Sequence, residues 1–369
     1  MKRTFRGDEP RRSAIRRVGI CLAPALIALP LLAAAPAPRG DPASRLADTG
    51  TASEYWDLVA LFDSNHKLFA RFMITNEGPG KHTGIAYGHF VEPDGTTWFF
   101  RNGRREGRWH LGPRGLLLEV GSSVLDLTSR PYALRVHKKK KGVDIDLHFA
   151  PDGPAVWDAG EDSEAPSVDL LAAAAPIEGS VWFRGMPAPV ELSGRVGWTH
   201  TWMDRSEPDL ALRRIDFFSL RGERVIYLRD FEAPDGSRSR WLTIARAGET
   251  LYQSNDFELS AGGRSSAQNS PEYPLPATLR ISSRQVEGEI RLGMGLIHHD
   301  PMEDIPQPFR FLLSFKMRPH RVWTDSSFEV TLKSGSDPVK IRGFGIAAAT
   351  FLNPIPPPTS KTSPPISGV

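Results

Sequence analysis

A single cysteine stands in the 369 residues, Cys21, and it falls inside the apolar leader at the amino end. Without that leader the chain has no thiol, which excludes disulfides, thiolate metal ligands and a cysteine nucleophile. Charge of one sign is lacking too. The 46 Lys and Arg nearly balance the 43 Asp and Glu, for a net +3, and they are spread along the chain, so no nucleic-acid partner is expected. Long apolar runs are scarce: ICLAPALIALPLLAAA at 20–35 is broken by Pro24 and Pro30 and falls short of the ~20 residues of a spanning helix. No phosphate-binding glycine loop, Gly-x-Ser-x-Gly elbow or zinc-protease helix occurs, so the nucleotide-dependent, hydrolase and protease classes lose their signatures. Neither a cofactor nor a metal is expected. Helical periods are nearly absent; DLLAAAA at 169–175 is the main exception, and it is short.

The leader itself is informative. MKRTFRGDEPRRSAIRRVG is basic, the apolar stretch follows, and small residues close it at Ala33–Ala35, the order of an export signal over 1–37. The expected location is periplasmic or extracellular. Arg11-Arg12 and Arg16-Arg17 allow a twin-arginine route. Pro36 disfavours cutting after Ala35, which leaves an uncleaved amino-terminal anchor as the alternative. At the other end, 353–369 is rich in Pro and Ser and reads as a disordered tail.

Between these ends, short alternating segments such as LFARFMIT, RVIYLRDFE, RFLLSFKM and VKIRGFGIAA are separated by Gly, Asp and Pro. That spacing predicts an all-β fold of antiparallel sandwich or barrel type. A faint repeat suggests two related halves: a strand with Tyr87 or Tyr227, a Pro-Asp-Gly turn at 93–95 or 234–236, then a strand with Trp98 or Trp241. We place domains at 45–185 and 186–352, with the acidic, alanine-rich stretch at 159–176 as the connection.

GWTHTW at 197–202 sets Trp198, His200 and Trp202 on alternate residues, so on a strand all three share one face. That face is either a packed core or a pocket wall, where indoles bind apolar ligands and an imidazole supplies a polar contact or a proton. In VIYLRDFE, Tyr227 and Arg229 share one face and Asp230 takes the other. LIHHDPMED at 296–304 invites a metal reading, but adjacent histidines on a strand point apart and no second ligand cluster follows, so we read a turn. Lys138–Lys141 before Gly142 reads as a hairpin tip that could touch anionic lipid.

These residues carry a resemblance. YWDLVALFDSNHKLFARFMITNEGPGKHTGIAYGHFVEPDG looks like the first domain of the tandem lipocalin-like proteins, the group of Svf1-like, AttH-type and carotenoid 1,2-hydratase proteins. LSGRVGWTHTWM and LRRIDFFSL resemble the opening of their second domain. The resemblance covers most of 50–350 and implies two calycin-type β domains with a hydrophobic ligand between or inside them. In the hydratases a His-x-Trp, a downstream tyrosine and an aspartate two residues later are implicated in catalysis. His200, Trp202 and Tyr227 match, whereas Arg229 stands at the aspartate position with Asp230 one residue late, and Thr199 replaces the usual acid before the histidine.

The resulting expectation is an exported protein that binds a lipid or isoprenoid, with Trp198, Trp202 and Arg229 as ligand contacts. Peripheral membrane contact is compatible with it. The alternatives are a cofactor-free hydratase or cyclase using His200, Tyr227 and Asp230, and a structural envelope protein whose aromatics are only core.

Overall fold

A computed structural model describes residues 41–354 apart from 48, 77–81, 152–156, 159–165, 247–248, 266–271, 305–306, 316 and 334–336. The expected export signal and nearly all of the expected tail lie outside the described residues. The described residues belong to one compact unit and are nearly all antiparallel β. Among the described residues, twelve strands make one curled half-barrel sheet and nine make a second.

Both sheets are wound alike. In the first, Ser53–Phe62, Lys67–Thr75, Thr83–Val91 and Thr97–Arg104 meander to one edge, and the late strand Val190–Met203 returns to pair with Ser53–Phe62. In the second, Arg213–Phe218, Arg224–Glu232, Arg238–Arg246 and Glu249–Ser254 do the same, and Val339–Phe351 returns to Arg213–Phe218. This is the architecture of two tandem lipocalin-like domains.

The Pro-Asp-Gly repeat, however, is not a repeat of position. Both turns close identically: Gly95 and Gly236 take φ of 92° and 85°, a conformation that favours glycine, and Asp94 and Asp235 each accept from a backbone N–H two residues on, at 2.8 Å. Counted from the strand that meets the returning one, the first turn joins strands three and four, and the second joins strands two and three. Shared turn chemistry, not a shared place, produced the likeness.

Two expectations about the middle of the chain are corrected. The alanine-rich stretch, read as the connection and as the main helical period, is neither in its described part; 167–183 is one strand of the first sheet whose register shifts on either side of Ala172. Ala172 and Ala175 join the core of the first sheet, and Ala173 lies in the apolar cluster between the sheets. The sheet boundary also falls later than 185/186. The GWTHTW strand completes the first sheet through Met203, and the second begins at Arg213, because Val190–Met203 finds its partners in Ser53–Phe62 and Ser167–Phe183.

Each sheet buries a core on its inner face, Trp56, Leu58, Phe62, Phe72 and Trp198 among others in the first, and Phe217, Leu228, Ile244 and Phe328 in the second. A third apolar cluster, with Val59, Leu61, Phe69, Phe218 and Trp323, lies between the sheets. Central strands are therefore covered on both faces, which is why Ser53–Phe62 and Arg213–Phe218 are buried almost throughout. Gly197 belongs to this contact: a Cβ there would lie 2.3 Å from the Phe218 ring, so the glycine of GWTHTW lets the second sheet approach.

Candidate functional site

The alternating faces of the GWTHTW strand lead to two different places. Trp198 is 1% exposed and packs edge to face on Tyr132 and Phe149, with centroids 5.4 and 5.3 Å away. It is core, and not the ligand wall expected of it. His200 is wholly buried, stacked on Trp56 at 4.8 Å, and its Nε2 lies 2.6 Å from Glu54 Oε1. Glu54 also accepts from Ser44 Oγ at 2.5 Å and from the Arg45 backbone N–H at 2.6 Å. Arg45 lays its guanidinium over the half-buried Trp202 at 4.2 Å and reaches Asp169 at 3.0 Å. Trp56 Nε1 donates to the Pro42 carbonyl at 3.0 Å. The Trp-x-His-x-Trp face therefore clamps the chain's own residues 42–45, and a ligand would have to displace them.

Thr199 and Thr201 point the other way, into a buried polar cluster between the sheets. Tyr227 and Arg229 meet them there, whereas Asp230 lies on the far face of its strand, held by Arg238 with Arg213 and Arg240 at 3.7 and 3.6 Å. The six residues picked from the sequence are thus divided among three places and form no joint catalytic group. Asp230, expected as a catalytic acid, pairs with Arg213, Arg238 and Arg240 and does not share the face of Tyr227, because no bulge turns it there.

The cluster itself is made of residues that no short motif revealed. Asp57 sits across the strand pair from Thr199 and takes two bonds from Arg71, at 2.5 and 2.6 Å. Asp216 sits across from Arg229 and accepts from Arg229 Nε at 2.6 Å and Tyr227 Oη at 3.0 Å. Arg214 joins them, 2.9 Å from Asp216, 3.5 Å from Asp57 and 3.2 Å from Glu207, and donates to Tyr55 Oη. Each acid missing from the hydratase pattern, at 199 and 229, thus has an aspartate opposite it on the adjoining strand.

None of these groups is an evident proton donor to an alkene. Burial pushes Asp57 up, but Arg71, with Arg214 and Arg321 behind it, outweighs that and holds the carboxyl below its usual value. Burial pushes the Tyr55 hydroxyl up to about 12 and the Tyr227 hydroxyl well above the ordinary phenol. The carboxylates are thus bound by guanidiniums and the phenols keep their protons.

A cavity of about 860 Å³ opens beside the cluster, between the sheets. Met73, Ile85, Leu313, Met317 and Leu352 give it apolar walls, and Tyr87 and Arg321 form part of its floor. The same two residues also line a cavity of about 30 Å³ within the cluster. Arg101, Arg104, Lys138 and Lys141 stand around it, so the lysine-rich hairpin tip borders the cavity as well as solvent. His299 reaches the cavity and stacks on Tyr87 at 5.5 Å, while His298 lies beside His320 at 6.0 Å, the divergence expected of neighbours on a strand.

Nearby, His89 is buried against Phe99, His299 and Trp323, and its Nε2 has no hydrogen-bond partner among the described residues. Burial, with His299 adding to it, lowers its pKa to about 3. The unfolded chain, with an ordinary histidine near 6.5, then binds more protons than the fold between pH 6.5 and 3, so this contribution to stability is complete above 6.5 and is lost as pH falls. We expect His89→Phe to be less acid-sensitive than the wild type by about 2 kcal/mol between pH 6.5 and 5. Urea unfolding at both pH values checks it; parallel losses in the two proteins would refute it.

No protein-family model and no curated protein sequence matches the chain. Solved structures do. An AttH-type protein of Nitrosomonas europaea superposes with a TM-score of 0.59 at 13% identity, covering 84% of this chain and 95% of the other. Kievitone hydratase from Nectria haematococca gives 0.57 at 14%, covering 87% and 94%. CghA bound to Sch210972 gives 0.56 at 14%, covering 82% and 89%. The likeness runs through both sheets and establishes the tandem lipocalin-like fold; at this identity it transfers no activity.

Proposed function

We propose, on the premise of that fold, that this chain binds a lipid or isoprenoid in the cavity between its two sheets and acts outside the cytoplasm. The observation that carries the reading is the cavity: its volume of about 860 Å³ lies within the roughly 300–1,000 Å³ of small-molecule sites, and apolar walls with a few polar groups are the usual composition of such sites. Binding is favoured over hydration because the nearby carboxylates are tied to guanidiniums and His200 is buried on the opposite face. The hydratase or cyclase reading keeps one observation of its own, the aspartates opposite Thr199 and Arg229. In it Asp57 and Asp216 take the roles first given to His200 and Asp230.

The segment around Phe309–Ser314 supports entry of a ligand from a membrane. It turns Leu313 towards the cavity and leaves Phe311, Leu312 and Phe315 exposed, apolar side chains of the kind that enter a lipid surface. The basic residues near the cavity suit an anionic one.

Ile85→Trp tests the site. The added ring occupies the cavity rather than a packed core, so it is expected to weaken binding of the neutral dye Nile red by at least about tenfold with little change in melting temperature. Organic extraction of wild-type protein should also release a lipid absent from the variant. Unchanged dye affinity in Ile85→Trp would place the ligand elsewhere. Fractionation tests export: the main species is expected outside the cytoplasm, trimmed near Ala35 or Ala37, and a full-length cytoplasmic form would refute that half.

A further inference from the structure

The charges between the sheets do not balance. Arg71, Arg214, Arg229 and Arg321 are buried there with Asp216, Glu207 and the half-buried Asp57, four guanidiniums with three carboxylates among the described residues. The surplus can be assigned. Arg71 holds Asp57, Arg229 holds Asp216, and Arg214 spans Asp57, Asp216 and Glu207. Arg321 is 7% exposed, forms no ion pair with any described residue, and leaves its Nε without a hydrogen-bond partner. Its one close aromatic contact is the Tyr87 ring, 5.4 Å from the guanidinium carbon. Tyr87 in turn makes no side-chain hydrogen bond to any described residue, and both side chains line the large cavity.

A buried guanidinium without an anion is costly. Burial, with Arg71 adding to it, pushes the Arg321 pKa down to about 9, which still leaves it charged at neutral pH. The large cavity adds no anion to answer it, since the only carboxylate among its described lining residues is Glu207, already bonded to Tyr55 at 2.9 Å and Arg214 at 3.2 Å.

We propose that the ligand is a single-chain amphiphile with an anionic head, whose head group takes hydrogen bonds from the Arg321 guanidinium and the Tyr87 hydroxyl while its tail lies along Met73, Ile85, Leu313 and Met317. A planar fork of donors beside one hydroxyl suits a carboxylate, which can accept from both. Phosphate monoesters share the chemistry. The inference rests on the cavity being the binding site, and it adds what the head must be.

Competition against bound Nile red tests it, with oleate, oleyl alcohol and monooleyl phosphate as competitors. Oleate is expected to displace the dye from wild-type protein at concentrations about 10- to 100-fold below the alcohol, the range of a hydrogen bond to a charged group. In Arg321→Met that ratio is expected to fall to near one, with the alcohol unaffected and the melting temperature no lower than wild type, because a buried unpaired charge has been removed. Arg321→Lys, which keeps the charge, should retain part of the preference. A stronger effect of monooleyl phosphate would support the anionic head and identify it as phosphate. Equal displacement by oleate and alcohol in the wild type, or a preference that survives in Arg321→Met, would overturn the proposal and leave the cavity reading standing. Failure of the dye and all three lipids to bind would remove both.

Discussion

Asp216→Asn is expected to destabilise the fold by about 3–5 kcal/mol, the cost of removing one partner from a buried charge network. Asp216 accepts from Arg229 and Tyr227 and lies 2.9 Å from Arg214; with its charge gone, four buried guanidiniums share only Asp57 and Glu207. The amide keeps the shape of the carboxylate, so the loss reads the charge and not a cavity. Denaturant unfolding at pH 7 measures it. The double variant Asp216→Leu, Arg229→Met removes anion and cation together and should recover most of the loss, since exchanging a whole buried pair for apolar groups is often nearly neutral. A cost under about 1 kcal/mol for Asp216→Asn would show that solvent reaches the cluster and screens it.

The fold was legible in the sequence because its signals are local. Period-two alternation and the Pro-Asp-Gly turns mark strands and hairpins, and alternation alone separates Tyr227 and Arg229 from Asp230. Two things were not local. The sheet to which GWTHTW belongs is decided by pairing with Ser53–Phe62, well over a hundred residues earlier. Which face of that strand meets the other sheet depends on Phe218 seating on Gly197. The polar cluster was missed for a related reason: Asp57, Arg71, Arg214, Asp216 and Arg321 come from four strands and share no motif. A signal did exist. Asp57 within YWDLVALF is a charge inside a strand too apolar to lie at the surface, and such a residue is accommodated there only when paired.

The resemblance supplied the fold correctly, and the motif it singled out has a structural task here. Its His-x-Trp drew attention to His200 and Trp202, which here hold residues 42–45 against the first sheet through Glu54 and Arg45. The residues between them, Thr199 and Thr201, face the second sheet, and Arg229 Nη1 reaches Thr201 Oγ1 at 3.3 Å. An aromatic motif thus serves as a clamp, while the cavity is bordered by residues whose pattern is dispersed.

Trp198→Ala separates clamp and core from ligand wall. The indole is packed on Tyr132 and Phe149 with 1% of its surface exposed, so its removal is expected to cost about 3–5 kcal/mol, as large-to-small core substitutions do. Nile red affinity of the folded fraction should stay at the wild-type value, because Trp198 does not line the cavity. Trp202→Ala should cost less, on the order of 1 kcal/mol, since that indole is half-buried and its main partner is the Arg45 guanidinium at 4.2 Å. The contrast follows from one strand whose alternate residues sit at different depths: Trp198 lies within the barrel core, Trp202 at its rim under the clamp. A Trp198→Ala protein that kept its stability and lost the dye would reverse the assignment, making the aromatic face the binding wall and the cavity between the sheets a bystander.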